Sequence, residues 1–187
     1  MGRRAHDVTI AFNKPLGMIT TMHDERGRGC VGDFIRKHGA ASSPSFSHVF
    51  PVGRLDAQTG GLLLLTSDGE LARRLLLPSH AVERQYRVCV GGVPSARSLQ
   101  RLRAQQVKSQ PDHTCFELTL TSGANREIRR ACAREGMRII SLERIAYGPI
   151  SLDRLRAGEH RVLSPRELRQ LKATVGEKAE KGLSRAD

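Results

Sequence analysis

The sequence has no apolar run long enough to cross a membrane. None of its hydrophobic stretches approaches the roughly 18 residues that such a span requires. Residues 1–6 are partly basic, but no apolar stretch follows them, so they do not resemble a secretory signal. In a chain of 187 residues with 39% apolar and 27% charged residues, these absences predict a soluble globular protein that works away from membranes.

Cysteine is scarce, and its four copies are spread along the chain. Cys30, Cys89, Cys115 and Cys132 form no CxxC pair and have no histidine at metal-ligand spacing, so no metal site is predicted. We expect reduced thiols, with Cys89 and Cys115 packed as small apolar side chains, which fits a reducing cytoplasm. The sequence also has no GxxxxGK[ST] phosphate loop and no internal repeat, so neither a P-loop nucleotide site nor a repeat fold is predicted.

Charge of one sign is in clear excess. The formal net charge is +12, and 25 of the 31 basic residues are arginine. A GC-rich genome would explain why arginine replaces lysine, but it would not explain the surplus of cations. A surplus of planar guanidinium groups favours a polyanionic partner, so the composition predicts contact with nucleic acid.

The most informative stretch joins an acid to a buried strand. Arg54 and Asp56 lie in a polar loop, and the run Leu62–Leu65 follows between two glycines and a Ser-Asp-Gly turn. An uninterrupted leucine run with such flanks predicts a central strand that is buried on both faces. The strand would fix the loop, while Arg54 could hold Asp56 ionised or engage a phosphate. The alternative is an ordinary salt bridge in a loop.

The remaining pattern mixes strands with single helices. Alternating or β-branched apolar residues predict strands at 8–12, 18–22, 84–90, 114–121, 137–145 and 160–163. Capping and stop signals predict five helices. The first spans 31–38 and is ended by Gly39, and the second runs from an N-cap at Ser67 to Pro78. The others lie at 95–104, at 126–135 with Asn125 as the cap, and after a capping box of Ser164 and Glu167. Because βα units do not alternate regularly, we predict an α+β fold, with strand 137–145 central to a second lobe.

Arginine is concentrated at the start of one predicted helix. Arg126, Arg129 and Arg130 occupy its first turns, although cations are disfavoured at the positive end of a helix dipole. We therefore expect these side chains to face an anion. Taken alone, Arg129 is more typical of a solvated helix charge and Tyr86 of a strand-core tyrosine.

Several of these motifs occur together in the order of one known family. The segments are Asn13–Gly17, Val52–Asp56, Thr66–Leu71, Tyr86–Val88, Asn125–Arg130, Leu142–Arg144 and Gly148–Ile150. In this order and spacing the chain resembles the RsuA family of ribosomal RNA pseudouridine synthases, almost from end to end. The resemblance implies a pseudouridine synthase fold, with a mixed, mostly antiparallel sheet in two lobes that flank a catalytic cleft. Residues 1–175 would form this catalytic domain, and residues 176–187 a flexible tail.

The resemblance also implies roles for particular residues. Asp56 would be the catalytic carboxylate, Tyr86 would stack on the target base, and Arg129 would pair with Asp56 and hold it ionised. Arg54 would help to displace or replace the flipped nucleotide, and Leu142 would wall the pocket. The other expected substrate contacts are Lys14, Arg126 and Arg130, although Lys14 has a structural alternative. Two departures from the family pattern, Glu127 for glutamine and Gly60 for a polar residue, bear on substrate contacts rather than on activity.

The implied activity is the isomerisation of a specific uridine in ribosomal RNA. It needs no cofactor or metal, because the reaction involves neither a redox change nor a group donor. The match begins within the first fifteen residues, so we expect the minimal branch without a front RNA-binding domain, some of whose members act on large-subunit RNA. We expect a cytoplasmic monomer whose partner is ribosomal RNA or an assembling subunit. The rival is a catalytically silent RNA-binding or ribosome-assembly protein on the same fold, which would have no need of a carboxylate that faces RNA.

Overall fold

A computed structural model describes residues 7–42, 46 and 48–183 of the chain. The strands are β1 (Thr9–Lys14), β2 (Phe50–Pro51), β3 (Gly60–Thr66), β4 (Arg84–Gly91), β5 (Gln105–Ser109), β6 (His113–Leu120), β7 (Ile139–Tyr147), β8 (Ile150–Ser151) and β9 (His160–Val162). The helices are α1 (Val31–Ser42), α2 (Gly69–Leu76), α3 (Ala96–Arg101), α4 (Glu127–Arg134) and α5 (Pro165–Leu183), and a 3-10 turn spans Pro78–His80. No helix within this part of the chain is long and apolar enough to pass through a bilayer.

One mixed sheet runs through the molecule. Its strands follow the order β5-β6-β4-β7-β3-β1-β9, with β2 paired to β3 and β8 paired to β7. The pairs are antiparallel except for β3 with β7, which are parallel. The predicted α+β fold with a mixed, mostly antiparallel sheet is confirmed.

The leucine run forms the central strand of the first lobe, as predicted. All seven residues of β3 are buried, and alternate leucines enter different cores. Leu62 and Leu64 pack in the core under α2 and α5, whereas Leu63 and Leu65 pack with Phe34 of α1. Full burial of each leucine side chain contributes about 1.5–3 kcal/mol. The loop before β3 is therefore attached to a rigid support.

The second lobe has its own core and joins the first through β7. This core lies between β4, β6, β7 and α4 and includes Val88, Phe116, Ile128 and Leu142. β7 pairs with β3 at only two positions, Gly60 with Glu143 and Gly61 with Arg144. The prediction that this strand is central to the second lobe is wrong, because β7 is the strand that connects the two lobes.

The junction of the lobes requires a glycine. Gly61 has a φ of +99°, and a Cβ placed there would lie 2.3 Å from the carbonyl oxygen of Arg144. No side chain fits at that distance from backbone. β3 and β7 can therefore meet in parallel only because residue 61 has no Cβ.

Two predictions for the N-terminal half are wrong. Residues 18–22 form no strand, and Ile19 makes only an isolated bridge to Cys30. α1 does not end at Gly39 but continues to Ser42, because one glycine costs a helix only about 1 kcal/mol. The small and polar stretch 40–47 predicts a surface loop, but its first three residues belong to α1, and residues 43–45 and 47 lie outside the described part of the chain.

Two predicted helix caps are each displaced by one residue. α2 is capped by Asp68 rather than Ser67, because Asp68 Oδ1 accepts the Leu71 N–H at 2.9 Å. α4 is capped by Arg126 rather than Asn125, in a left-handed conformation with a φ of 49° and no side-chain hydrogen bond. The short strand β5 was not predicted, because all of its residues are exposed and show no apolar alternation.

The expectation of reduced thiols is wrong for two of the four cysteines. Cys89 and Cys115 form a disulfide between β4 and β6, where the strand register places them directly opposite each other. Their Cα atoms are 4.1 Å apart. A separation of 26 residues gave no sign of this contact in the sequence, and the thiol argument for a reducing compartment no longer holds.

The capping box predicted for the last helix is confirmed. Ser164 Oγ accepts the Glu167 N–H at 3.3 Å, and Glu167 Oε2 accepts the Ser164 N–H at 2.8 Å. The helix continues through Gly176 to Leu183. The tail predicted for residues 176–187 is thus helical as far as it is described, and residues 184–187 lie outside the described part.

Candidate active site

An open cleft of about 300 Å³ lies where the two lobes meet. Its walls come from the loop before β3, from β4 and β7, and from the segment that joins β6 to α4. The predicted site residues that line it are Arg54, Asp56, Tyr86, Arg126, Arg129 and Leu142. Lys14 and Arg130 are not part of this lining. The fold therefore brings six of the eight predicted residues, which come from four separate segments, to one cavity.

The loop that carries Asp56 is braced by the segment after β1. The hydroxyl of Thr20 donates to the Leu55 carbonyl at 2.8 Å and accepts the Leu55 N–H at 3.2 Å. The Gly17 N–H donates to the Ala57 carbonyl at 2.7 Å. These contacts hold the backbone on both sides of Asp56, while 43% of its side chain remains exposed. Asp56 therefore stands on a braced backbone, and its carboxylate is open to a ligand.

Arg129 braces the same loop from the second lobe. Its Nη2 donates to the Gln58 carbonyl at 2.6 Å and to the Thr59 hydroxyl at 3.3 Å. Its Nε lies 4.0 Å from Asp56 Oδ2 and is buried without an acceptor. A movement of about 1 Å would turn this long ion pair into a hydrogen bond. The expected pairing of Arg129 with Asp56 is thus present in a loose form, in a cleft that is open rather than poor in water.

Tyr86 and Leu142 form an apolar wall of the cleft. They lie on adjacent strands, where Tyr86 is opposite Arg144 and Leu142 is opposite Val88. Leu142 is buried in the second-lobe core, and the half-buried Tyr86 packs against the cores of both lobes. A ring held between two cores is a rigid surface on which a flat ligand can stack.

The rim of the cleft has exposed cations. Arg54 and Arg126 both line the cleft and are exposed, so they can reach a polyanion that lies across its mouth. Arg130 is exposed on the same helix, outside the lining. Glu127, one of the two departures from the family pattern, also lines the cleft and accepts a hydrogen bond from the Ser122 hydroxyl.

Lys14 lies beneath the site instead of on its wall. The residue is fully buried, and its Nζ donates to the carbonyls of Pro15 at 2.9 Å and Met18 at 2.7 Å. Burial lowers the pKa of Lys14 to about 8; the negative charge of Asp56 opposes this shift and the positive charge of Arg144 adds to it. The expected contact of Lys14 with substrate is not available to an ammonium group in this position. Its structural alternative fits the geometry.

Lys14 is expected to make the folding stability depend on pH. The unfolded chain keeps the Lys14 proton up to a pKa of 10.5, and the folded chain only up to about 8. Between these values the unfolded state binds more protons, so raising the pH favours the folded state. Across this window, the free energy of unfolding should rise by up to about 3 kcal/mol more for wild type than for the Lys14→Met variant. Urea unfolding of both proteins at about pH 8 and at pH 10.5 measures this difference. An equal change in both proteins would contradict a buried ammonium group at Lys14.

The floor of the cleft contains three buried residues to which sequence reasoning gave no role. The guanidinium carbons of Arg84 and Arg144 lie 4.9 Å and 5.2 Å from the ring centroid of Tyr147, and all three residues line the cleft. Arg84 donates to Tyr147 Oη at 3.1 Å and to the carbonyls of Leu75 and Thr121 at 3.3 Å and 3.2 Å. Only the pairing of β4 with β7 assembles this group, and no local signal marks a buried arginine.

Comparison with known proteins supports the family resemblance that was seen in the sequence. The family described as RNA pseudouridylate synthase matches residues 8–134. An uncharacterized RNA pseudouridine synthase of Mycobacterium tuberculosis (strain ATCC 25618 / H37Rv) is 42% identical over 185 residues, which cover 90% of this chain and 70% of the relative. The ribosomal large subunit pseudouridine synthase B of Bacillus subtilis (strain 168) is 33% identical over 186 residues, which cover 91% of this chain and 73% of the relative.

A solved structure confirms the predicted fold. A crystal structure described as a pseudouridylate synthase superposes with a TM-score of 0.72 and 26% identity, over 89% of this chain and 74% of the other. The family match includes the Asp56 loop, Tyr86 and Arg129. The resemblance found in the sequence is thus confirmed, and the chain belongs to the RNA pseudouridylate synthase family.

Proposed function

We propose that this chain isomerises one uridine of large-subunit ribosomal RNA to pseudouridine. The observation that carries the proposal is Asp56, an accessible carboxylate on a braced loop, whose Oδ2 lies 4.0 Å from Arg129 Nε where the two lobes meet. The Bacillus subtilis relative, which is named for the large ribosomal subunit, supports the choice of target. The partner is ribosomal RNA or an assembling subunit, and the protein acts as a monomer in the cytoplasm.

The proposed reaction exchanges one bond of the nucleotide for another. The bond between N1 of uracil and C1′ of ribose breaks, the uracil turns within the cleft, and C5 bonds to C1′. C5 loses a proton and N1 gains one, so the reaction needs no oxidant and no group donor. Asp56 either attacks C1′ or removes a proton from C2′. Both roles require an ionised carboxylate within reach of the ribose.

The other site residues hold the nucleotide and the carboxylate in place. Arg129 supplies positive charge near Asp56 and fixes its loop, while Tyr86 and Leu142 form the surface against which the uracil lies. The base must leave the RNA stack to enter the cleft, which costs roughly a few kcal/mol. Stacking on an aromatic ring returns about 1–3 kcal/mol of this.

The basic rim supplies the contacts to the RNA backbone. Arg54 is exposed and lines the cleft, so in the proposed complex it takes the place of the flipped nucleotide in the stack, whereas Arg126 and Arg130 meet phosphates. Each phosphate contact adds about one unit to the salt dependence of binding. The net charge of +12 agrees with an RNA-binding surface that extends beyond the cleft.

Mapping of pseudouridines in ribosomal RNA tests the proposed function. A strain that lacks this chain should lose one large-subunit pseudouridine, wild-type protein should restore it, and Asp56→Asn should not. If every ribosomal pseudouridine persists in the deletion strain, ribosomal RNA is not the substrate. If Asp56→Asn restores the modification, the carboxylate is not catalytic. Restoration of ribosome assembly by Asp56→Asn, without any change in pseudouridine, would favour the silent RNA-binding protein.

Substitution of Tyr86 is expected to separate the ring from its hydroxyl group. Tyr86→Ala removes the stacking surface and should slow single-turnover isomerisation by roughly tenfold or more. Tyr86→Phe keeps the ring, so its single-turnover rate reports the contribution of the hydroxyl alone. A folded Tyr86→Ala protein with the wild-type rate would show that Tyr86 does not contact the base.

A further inference from the structure

Two arginines that line the cleft each have a buried nitrogen atom without a hydrogen-bond acceptor. The atoms are Arg129 Nε and Arg144 Nη2, the only buried side-chain nitrogen or oxygen atoms without a partner in the part of the chain that the structure describes. The first has Asp56 Oδ2 at 4.0 Å. Within the same residues, Arg144 forms no ion pair with any carboxylate. Its unpaired donor therefore needs a different explanation.

Arg144 is held rigidly at the floor of the cleft. The residue is 2% exposed, and its Nε donates to the Leu62 carbonyl at 2.6 Å. Leu62 follows directly after the two positions at which β3 and β7 are paired, so the Arg144 side chain takes the place of the next backbone hydrogen bond. Tyr147 lies against its guanidinium group. Nε is thus fixed, and Nη2 beside it on the same edge is buried without an acceptor.

A buried donor of a charged group is costly when it has no acceptor. The cost is larger for a charged group than for a neutral one, because the charged group loses more when it leaves water. Arg84 shows that the same environment can supply acceptors, because its Nη1 and Nη2 both donate to protein atoms. We therefore interpret Arg144 Nη2 as a donor whose acceptor is supplied by a bound ligand.

The depth of Arg144 indicates which part of a nucleotide would reach it. Phosphates stay with the RNA backbone at the mouth of the cleft, where Arg54 and Arg126 are exposed. The base of a flipped nucleotide enters deepest. Uracil has two carbonyl oxygens that can accept a hydrogen bond, and neither is consumed when the glycosidic bond moves from N1 to C5.

We propose that Arg144 is a further substrate-binding residue, whose Nη2 donates to a carbonyl oxygen of the uracil when the target nucleotide occupies the cleft. The proposal rests on the proposed function and adds the group that recognises the base. Arg144 faces the same side of the sheet as Tyr86, its cross-strand partner. The two residues would therefore contact one base, Tyr86 through its ring and Arg144 through an edge.

Thio-substituted RNA tests this hydrogen bond. Short RNAs carry the target uridine, identified by the mapping experiment, as uridine, 2-thiouridine or 4-thiouridine. Single-turnover rates are measured for wild type, Arg144→Lys and Arg84→Lys. Sulfur is a weaker acceptor, so replacing the recognised oxygen should slow the wild-type enzyme by about tenfold to a hundredfold. Arg144→Lys should slow the uridine reaction by a similar factor and bring the oxygen-to-sulfur rate ratio close to one.

Arg84→Lys is the matched control. Arg84 is buried against the same ring, but protein atoms accept its hydrogen bonds, so its substitution should change all substrates alike and keep the wild-type rate ratio. Arg144→Gln replaces Arg144→Lys if thermal unfolding shows that the latter is not folded. If Arg144 has a purely structural role, the Arg144→Lys variant should show the same oxygen-to-sulfur rate ratio as wild type for both thio-substrates. This result would overturn the proposal.

Two further outcomes are decisive. The same RNAs are also made with a methylphosphonate in place of the phosphate next to the target uridine. If Arg144→Lys alters only the effect of this replacement on the rate, the acceptor is a phosphate and the assignment to uracil is wrong. If wild-type protein converts none of the unmodified RNAs, the proposed function fails, and this inference fails with it. Conversion by wild type together with an unchanged rate ratio in Arg144→Lys rejects the inference alone.

Discussion

Asp56→Asn is expected to abolish isomerisation and to leave the affinity for RNA nearly unchanged. The substitution keeps the shape of the side chain but removes the negative charge that, in the proposed reaction, either attacks C1′ or accepts a proton. General-base or covalent catalysis supplies at least about a hundredfold in rate, so the single-turnover rate should fall below about one hundredth of wild type. RNA affinity should be retained, because the loss of one negative charge slightly eases repulsion from phosphate.

The fold is expected to tolerate this change. Asp56 is nearly half exposed, and its pair with Arg129 is long, so solvent screening limits the stabilisation it provides to about 1 kcal/mol or less. Thermal unfolding should therefore give almost the same transition for both proteins. Asp112→Asn is a matched control, because Asp112 has an 82% exposed side chain and lies outside the cleft lining. A folded Asp56→Asn protein with more than a hundredth of the wild-type rate would contradict the catalytic role.

Arg129→Ala is expected to reduce the rate at saturating enzyme by roughly a hundredfold to a few thousandfold. When RNA covers the cleft, Asp56 loses its contact with water, and an unpaired charge in such a place costs ~3–5 kcal/mol. The same substitution removes the hydrogen bonds to Gln58 and Thr59, which are worth about 1 kcal/mol each in the free protein. The effect on catalysis should therefore exceed the effect on folding. Single-turnover rates and urea unfolding measure the two separately.

Arg134→Ala distinguishes the loss of any α4 arginine from the loss of Arg129. Arg134 is exposed on α4 and lies outside the cleft lining, so its substitution should raise the RNA dissociation constant or do little, with the rate at saturation unchanged. Arg130→Ala should lower the salt slope of binding by about one unit if Arg130 meets a phosphate. If Arg129→Ala changes only affinity while another arginine of α4 controls the rate, the catalytic pair is wrongly assigned.

The sequence by itself determined the features that depend on neighbouring residues. The four leucines of β3 predicted a strand buried on both faces, because alternate side chains of a strand point to opposite sides. Ser164 and Glu167 predicted the start of α5, because a capping box closes within four residues. The polar loop next to this strand drew attention to Asp56, although an ordinary salt bridge remained the alternative there. The family motifs then gave Asp56 its catalytic role and Tyr86 and Arg129 as its partners.

The tertiary structure alone decided the features that depend on pairing between distant segments. The register of β4 with its two neighbours creates the Cys89–Cys115 disulfide and the group of Arg84, Arg144 and Tyr147. No sequence pattern predicts that Lys14 or Arg144 is buried, since a basic side chain belongs at the surface unless particular acceptors surround it. Those acceptors are backbone carbonyls. Lys14 uses the nearby carbonyls of Pro15 and Met18, whereas the Leu62 carbonyl reaches Arg144 only when the lobes meet at Gly61.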